Sequence, residues 1–159
     1  MKKVILLVLV LVGLFALSGC KYESDMDVVK NLVQQQIFEQ KEEKYFIFFY
    51  LDGCTGCEET KPSVMNYYNL VKNDDSKRKI YGVNLSNPKN NPMYVKNPLD
   101  VGQGTDGAFY VNGVTNWEDL NIGSTPSLIS IYIKDGVKTA KYVAQGKDAI
   151  ITALEEQLR

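Results

Sequence analysis

Tyr45-Phe46-Ile47-Phe48-Phe49-Tyr50-Leu51-Asp52-Gly53-Cys54-Thr55-Gly56-Cys57 decides how the rest of this 159-residue chain is read. Its opening apolar and aromatic run is too short for a helix and suits a central strand buried on both faces of a sheet. Two cysteines separated by two residues follow at once. Glu58 to Asn73 then reads as helix, with Val64, Met65, Tyr68 and Val71 as its inward stripe, so the cysteines stand where a strand hands over to a helix. A helix N-terminus favours negative charge, and the thiolate is the form of cysteine that attacks disulfides. Pro62 predicts a kink one turn in, because proline lacks the N–H that the helical ladder uses.

On the N-terminal side, Val29, Leu32, Val33 and Ile37 recur at three- and four-residue steps from Met26 onward, which predicts an amphipathic helix. Ser24 is its expected N-cap, with Asp27 approximating a capping box, and the charged turn Lys41-Glu42-Glu43-Lys44 ends it. On the other side, Asn73 to Ser76 reads as a loop and Ile80 to Leu85 as a second strand. Ser86 to Gly123 is irregular, with Pro88, Pro92, Pro98, Gly102, Gly104 and Gly107. A structureless loop of that length is unusual in a compact domain, so a short strand at Ala108 to Val111 and a helical turn at Trp117 to Leu120 are expected within it. Tyr110 and Trp117 are read as packing under this segment. Ser127 to Ile133 is a strand, Asp135-Gly136 a two-residue hairpin turn, and Val137 to Val143 the return strand. Gly146 closes it, and Lys147 to Leu158 is a helix with Ile150, Ile151, Leu154 and Leu158 facing inward.

Composition narrows the chemistry. Eighteen Lys and Arg against nineteen Asp and Glu give a net charge of -1, with no basic cluster of the kind nucleic acid requires. There is no histidine, which removes Cys–His nucleophilic catalysis and most zinc sites. Zinc needs four ligands, and two thiols without histidine do not supply them. Asp100, Asp106 and Asp119 do not follow the calcium-loop spacing. No metal and no cofactor are expected.

The N-terminus reads as an export signal. Met1-Lys2-Lys3 is a positive start, and Val4 to Leu17 is an apolar stretch shorter than the roughly 20 residues a membrane span needs. Leu17-Ser18-Gly19-Cys20 resembles a bacterial lipobox, which implies cleavage before Cys20 and lipidation of it. Two acyl chains hold a protein to a membrane where one binds only marginally. The expected organisation is therefore a signal peptide over residues 1–19, a lipidated tether over 20–25 and a single domain over 26–159.

The order of elements, with three local matches, resembles the thioredoxin superfamily across most of residues 26–159. Cys54 and Cys57 open the helix after the first core strand, with Pro62 five residues beyond. Gly123-Ser124-Thr125-Pro126-Ser127-Leu128 resembles the family's cis-proline loop ahead of the hairpin. Gly146 matches a glycine that follows the last strand. The resemblance implies an α/β thioredoxin-like fold, a central mixed sheet flanked by helices, with an enlarged irregular segment before the cis-proline loop.

For function it implies a thiol–disulfide oxidoreductase in which Cys54 attacks and Cys57 resolves, while Thr125 and Pro126 present backbone to an extended substrate. With Cys20, the implied setting is the extracytoplasmic face of a membrane. The implied partners are exported thiol or disulfide proteins and a membrane redox partner. The direction of electron flow stays open, with reduction preferred to oxidation or isomerisation. Two departures stand out: the family's buried acid falls on Phe48, and its partner lysine at about Gly82. Asp52, Glu58 and Glu59 flank the motif and are read as a solvated acidic rim. A permanent structural disulfide, a plain strand-edge proline at Pro126, and a non-catalytic binding or accessory lipoprotein are the alternatives.

Overall fold

The computed structural model describes residues 26–95 and 110–159. Four strands form one mixed sheet: β1 (Lys44–Tyr50), β2 (Lys79–Asn84), β3 (Ser127–Lys134) and β4 (Val137–Gln145), in the spatial order β2-β1-β3-β4. β1 runs parallel to β2 and antiparallel to β3, and β3 runs antiparallel to β4. Parallel neighbours need a crossover rather than a tight turn. Helix α1 (Thr55–Val71) supplies it between β1 and β2, and α2 (Lys147–Glu156) follows β4. Asp135 and Gly136 join β3 to β4 with φ values of 52° and 80°, the positive pair that a two-residue hairpin turn demands.

β1 is buried along its whole length after Lys44, and its alternation sorts the core in two. Phe46, Phe48 and Tyr50 face one cluster with Cys57, Val64, Tyr67, Val71, Ile150 and Leu154 of the two helices. Tyr45, Ile47 and Phe49 face the other, with Leu32, Ile37, Met93, Val111, Leu120 and Ile122, all from irregular chain. The mixed sheet, the crossover helix opening on the cysteine pair, and the antiparallel hairpin behind it make this an α/β thioredoxin-like fold.

The structure corrects two sequence expectations. Met26 to Ile37 is not an amphipathic helix but two 3-10 turns, Met26–Val28 and Gln34–Gln36, flanking an extended stretch. There Asn31 forms a parallel bridge to Gly82, with Leu32 N–H donating to Gly82 O and Gly82 N–H to Lys30 O. The helical spacing was coincidental: Met26 and Val29 enter the helix-side core, Leu32 and Ile37 the opposite one. One helical stripe could not reach both faces of a sheet, whereas a chain crossing its edge can. Tyr110 and Val111 lie in a turn rather than a strand, and that turn caps the outer edge of β4: Gly113 N–H donates to Ala140 O, and Ala140 N–H to Val114 O. The expected inward stripe of α1 holds, with Val64 and Val71 fully buried and Met65 and Tyr68 packed partly buried against the helix-side core; Tyr67, fully buried, joins them.

Trp117 to Leu120 does form a turn, closed by Leu120 N–H on Trp117 O. The expected signal peptide, the tether with Cys20 and Ser24, and Ala108 and Phe109 lie outside the described residues. So do Pro98, Asp100, Gly102, Gly104, Asp106 and Gly107.

Candidate active site

Cys54 and Cys57 are joined as a disulfide with Cα atoms 5.1 Å apart, at the end of β1 and the start of α1. Gly53 (φ 72°) turns the chain from the strand toward the helix, a conformation that suits a residue without Cβ. Cys54 is the N-cap of α1, in extended backbone (φ -80°, ψ 110°), and its Sγ accepts from Cys57 N–H at 3.2 Å. That donor is one of the helix's initial N–H groups lacking an intrahelical partner. The same N–H would favour a thiolate on Cys54 once the disulfide opens.

The two sulfurs differ in access. Cys54 is half-buried, whereas Cys57 is fully buried in the core cluster that also holds Phe48, Tyr50 and Val64. An incoming group can therefore reach Cys54 first.

The Thr125–Pro126 bond is cis and stands beside this pair. Thr125 carbonyl oxygen and Thr125 Oγ1 each lie 3.8 Å from Cys54 Sγ. Sequence reasoning had assigned Thr125 a backbone role only; its hydroxyl is also aimed at the sulfur. The loop is tied on both sides. Ser127 Oγ donates to Ser124 O at 2.6 Å, Ser124 Oγ to Gln145 Oε1 at 2.9 Å, and Gly146 N–H to Pro126 O at 2.9 Å. Gly56 lies against it: a Cβ there would meet Pro126 Cδ at 3.3 Å.

Phe48 and Gly82 stand opposite each other in the parallel register. Neither can titrate. A Cβ on Gly82 would come within 2.5 Å of Asn31 Oδ1, which instead accepts from Tyr50 hydroxyl at 2.8 Å. The wall behind the disulfide is thus aromatic and amide.

Of the flanking carboxylates, Asp52 accepts from Asn84 Nδ2 at 2.9 Å and Glu59 pairs with Lys147 of α2 at 2.9 Å. Glu58 pairs with Lys61 at 2.6 Å. Lys61 was missed in the sequence. Its position four residues after Cys57, on the same helix face, was the available signal. Among the described residues there is no group of three or more metal-ligating side chains, and no helix long and apolar enough to cross a membrane.

A disulfide at the mouth of the crossover helix, beside a cis-proline loop, defines a thioredoxin-like domain with a C-x-x-C pair. No family model matches the chain, and no curated protein sequence does. Among solved structures it is similar to ERdj5 form I, with 12% identity and a TM-score of 0.48 over 82% of this chain and 14% of that one. It is similar to Chlamydomonas reinhardtii thioredoxin f2, with 14% identity and a TM-score of 0.46 over 80% of this chain and 94% of that one. The J-Trx1 fragment of ERdj5 gives 16% identity and a TM-score of 0.44 over 82% of this chain and 50% of that one. The chain thus spans only a small part of ERdj5 form I.

Proposed function

We propose that this protein is a membrane-tethered thiol–disulfide oxidoreductase that faces an extracytoplasmic space and exchanges its Cys54–Cys57 pair with exported proteins. The observation that carries the reading is the asymmetry of the disulfide. One sulfur is accessible beside the Thr125–Pro126 loop, and the other is buried one turn into α1.

In the reductive direction, the Cys54 thiolate attacks a substrate disulfide. A Cys54–substrate disulfide forms and one substrate thiolate leaves, taking a proton. The Cys57 thiolate then attacks Cys54 Sγ, the mixed disulfide breaks, and the second substrate thiol departs. The substrate gains two electrons and two protons, and the protein returns to the Cys54–Cys57 disulfide. A membrane dithiol partner re-reduces it. Thr125 and Pro126 hold the extended substrate segment against Cys54, and lipid on Cys20 keeps the domain at the membrane.

The test is disulfide reduction by the purified protein, with Cys54→Ser abolishing it. An inactive, folded wild type overturns the reading. Cys57→Ser should accumulate mixed disulfides through Cys54 in cells, and their identity names the substrates. Trapping by Cys54→Ser alone would reverse the assigned roles. Cys20→Ser should move the protein from the membrane to the soluble fraction; persistence at the membrane sinks the tether.

A further inference from the structure

Resolution requires a thiolate at Cys57, the more difficult place to make one. Cys57 is fully buried, and the apolar core cluster it belongs to, which includes Phe48, Tyr50 and Val64, carries no charge that could favour the anion. Burial in apolar surroundings opposes ionisation of a thiol. One cationic group stands a single helical turn away. Lys61 lies one turn along α1 from Cys57, and residues four apart on a helix bring their Cβ atoms within about 5–6 Å.

Its side chain is only 10% exposed and does not extend to solvent. The ammonium folds back to Glu58 Oε1 at 2.6 Å and stands 4.9 Å from the centroid of the Tyr50 ring. Tyr50 stacks on Phe48 at 5.7 Å and donates to Asn31 Oδ1, which fixes the ring that the cation covers.

We propose that Lys61 is a positioning residue for the resolving step: its buried ammonium stabilises the Cys57 thiolate, and Glu58 moderates that field. The inference rests on the oxidoreductase reading above. Burial decides the sign. The Lys61 side chain is 10% exposed and that of Glu58 42%, so water screens the carboxylate far more than the cation. Seen from inside the core, the pair is therefore a net positive charge.

The other charged groups around Cys57 are less well placed. Lys147 at the start of α2 is half-exposed and bound to Glu59 of α1, and Asp148 is exposed on the same turn of α2. Asp52, on the loop after β1, accepts from Asn84, and Asp27, on the 3-10 turn packed against α1, is exposed. A passive role, in which Lys61 merely packs its stem and pairs with Glu58, predicts no effect on thiol ionisation.

The test isolates Cys57. Full-length reduced protein in a Cys20→Ser background is mixed with 5,5′-dithiobis(2-nitrobenzoate). Cys54 takes one thionitrobenzoate, and Cys57 then expels it, releasing a second coloured equivalent whose rate is followed against pH. Lys61→Met, which keeps the stem, should raise the midpoint of that second phase by about one unit. A tenfold loss of thiolate is offset by higher intrinsic nucleophilicity at a Brønsted slope of ~0.4–0.5, so the rate at neutral pH should fall only about threefold.

Lys61→Arg should restore the midpoint, and Glu58→Gln should lower it. Opposite shifts in the two single variants support the inference, because loss of packing alone would not change sign between them. Unshifted midpoints, or shifts in one direction, overturn it while the wild type still resolves. A wild type that never releases the second equivalent overturns the oxidoreductase reading and takes this inference with it.

Discussion

Phe48 and Phe49 are adjacent on β1, both fully buried, and they point into cores of different construction. Phe48 faces the two helices, whose apolar positions repeat along regular backbone that satisfies its own hydrogen bonds. Phe49 faces chain with little regular structure, whose backbone polar groups must find partners one at a time. Some are backbone groups of other segments, as where Leu32 N–H donates to Gly82 O and Ile122 N–H to Met93 O, and side chains supply others. Asn90, 1% exposed, accepts from Gln34 N–H at 2.8 Å and donates to Leu32 O and Asn84 O at 3.1 and 3.0 Å. Tyr45 hydroxyl donates to Ile37 O at 2.7 Å, Tyr81 hydroxyl to Glu42 at 2.8 Å, and Asn112 Oδ1 accepts from Tyr142 N–H at 2.8 Å. The chemistry sits on the helical face, and the other face is a cover held by amides and phenols.

The largest expected effect tests that difference with identical chemistry. Phe→Ala in a core costs about 3–5 kcal/mol, and the spread reflects how far the surroundings collapse into the space left. Phe48→Ala should fall near the upper end, because regular helices docked on a sheet cannot relax around one missing ring. Phe49→Ala should fall near the lower end, because irregular chain can settle inward. Denaturant titration of both variants measures this. Equal losses, or a larger loss at Phe49, would break the distinction between the faces.

Asn90 comes next. Asn90→Ala removes three hydrogen bonds of about 1 kcal/mol each and deprives Gln34 N–H, Leu32 O and Asn84 O of this partner, so roughly 2–3 kcal/mol should be lost. Hydrogen exchange gives the sharper measure. Amides of Leu32, Gln34 and Gly82 should exchange faster while those of α1 keep their protection, since local opening follows cooperative units. Uniform acceleration across both faces would show that they open as one.

The same contrast explains what could be read from the sequence. β1, α1, the β3–β4 hairpin and α2 announce themselves because an apolar run, a helical stripe and an Asp-Gly turn are local signals. The cysteine pair and the Thr125–Pro126 loop were legible for that reason, and their meeting at 3.8 Å follows from the topology. The cover was not legible. Val29, Leu32 and Ile37 fit a helix by spacing, yet Asn31 pairs with Gly82, fifty-one positions away, and nothing within residues 26–37 encodes that partner. Gly82 permits the bridge by lacking a Cβ that would meet Asn31 Oδ1. Asn90 likewise reads as a loop residue until Leu32 and Gln34 are seen beside it. Lys61 is an intermediate case: its spacing from Cys57 was visible, but only burial distinguishes it from a solvated lysine.

The last comparison concerns alkaline pH, where phenols on the two faces report separately. Burial, opposed by the charge of Arg78, pushes Tyr67 on the helical face from 10.0 up to about 12. Tyr45 and Tyr81 on the other side are also raised, chiefly by burial, with Glu42 adding to it in both. A raised phenol stays protonated in the folded protein while the unfolded chain ionises. Its stabilising contribution is thus complete below pH 10 and is lost as pH climbs toward the folded value, the unfolded state binding fewer protons in that window. Unfolding free energy should decline between pH 10 and pH 12. Tyr67→Phe should flatten the decline by one group's worth, and Tyr45→Phe with Tyr81→Phe by about two. The slope is the quantity to measure, since losing a hydroxyl bond lowers the whole curve without tilting it. A double variant that shifts the curve and leaves its slope unchanged would mean those two phenols ionise in the folded protein, and the cover over Phe49 would then be wetter than its burial implies.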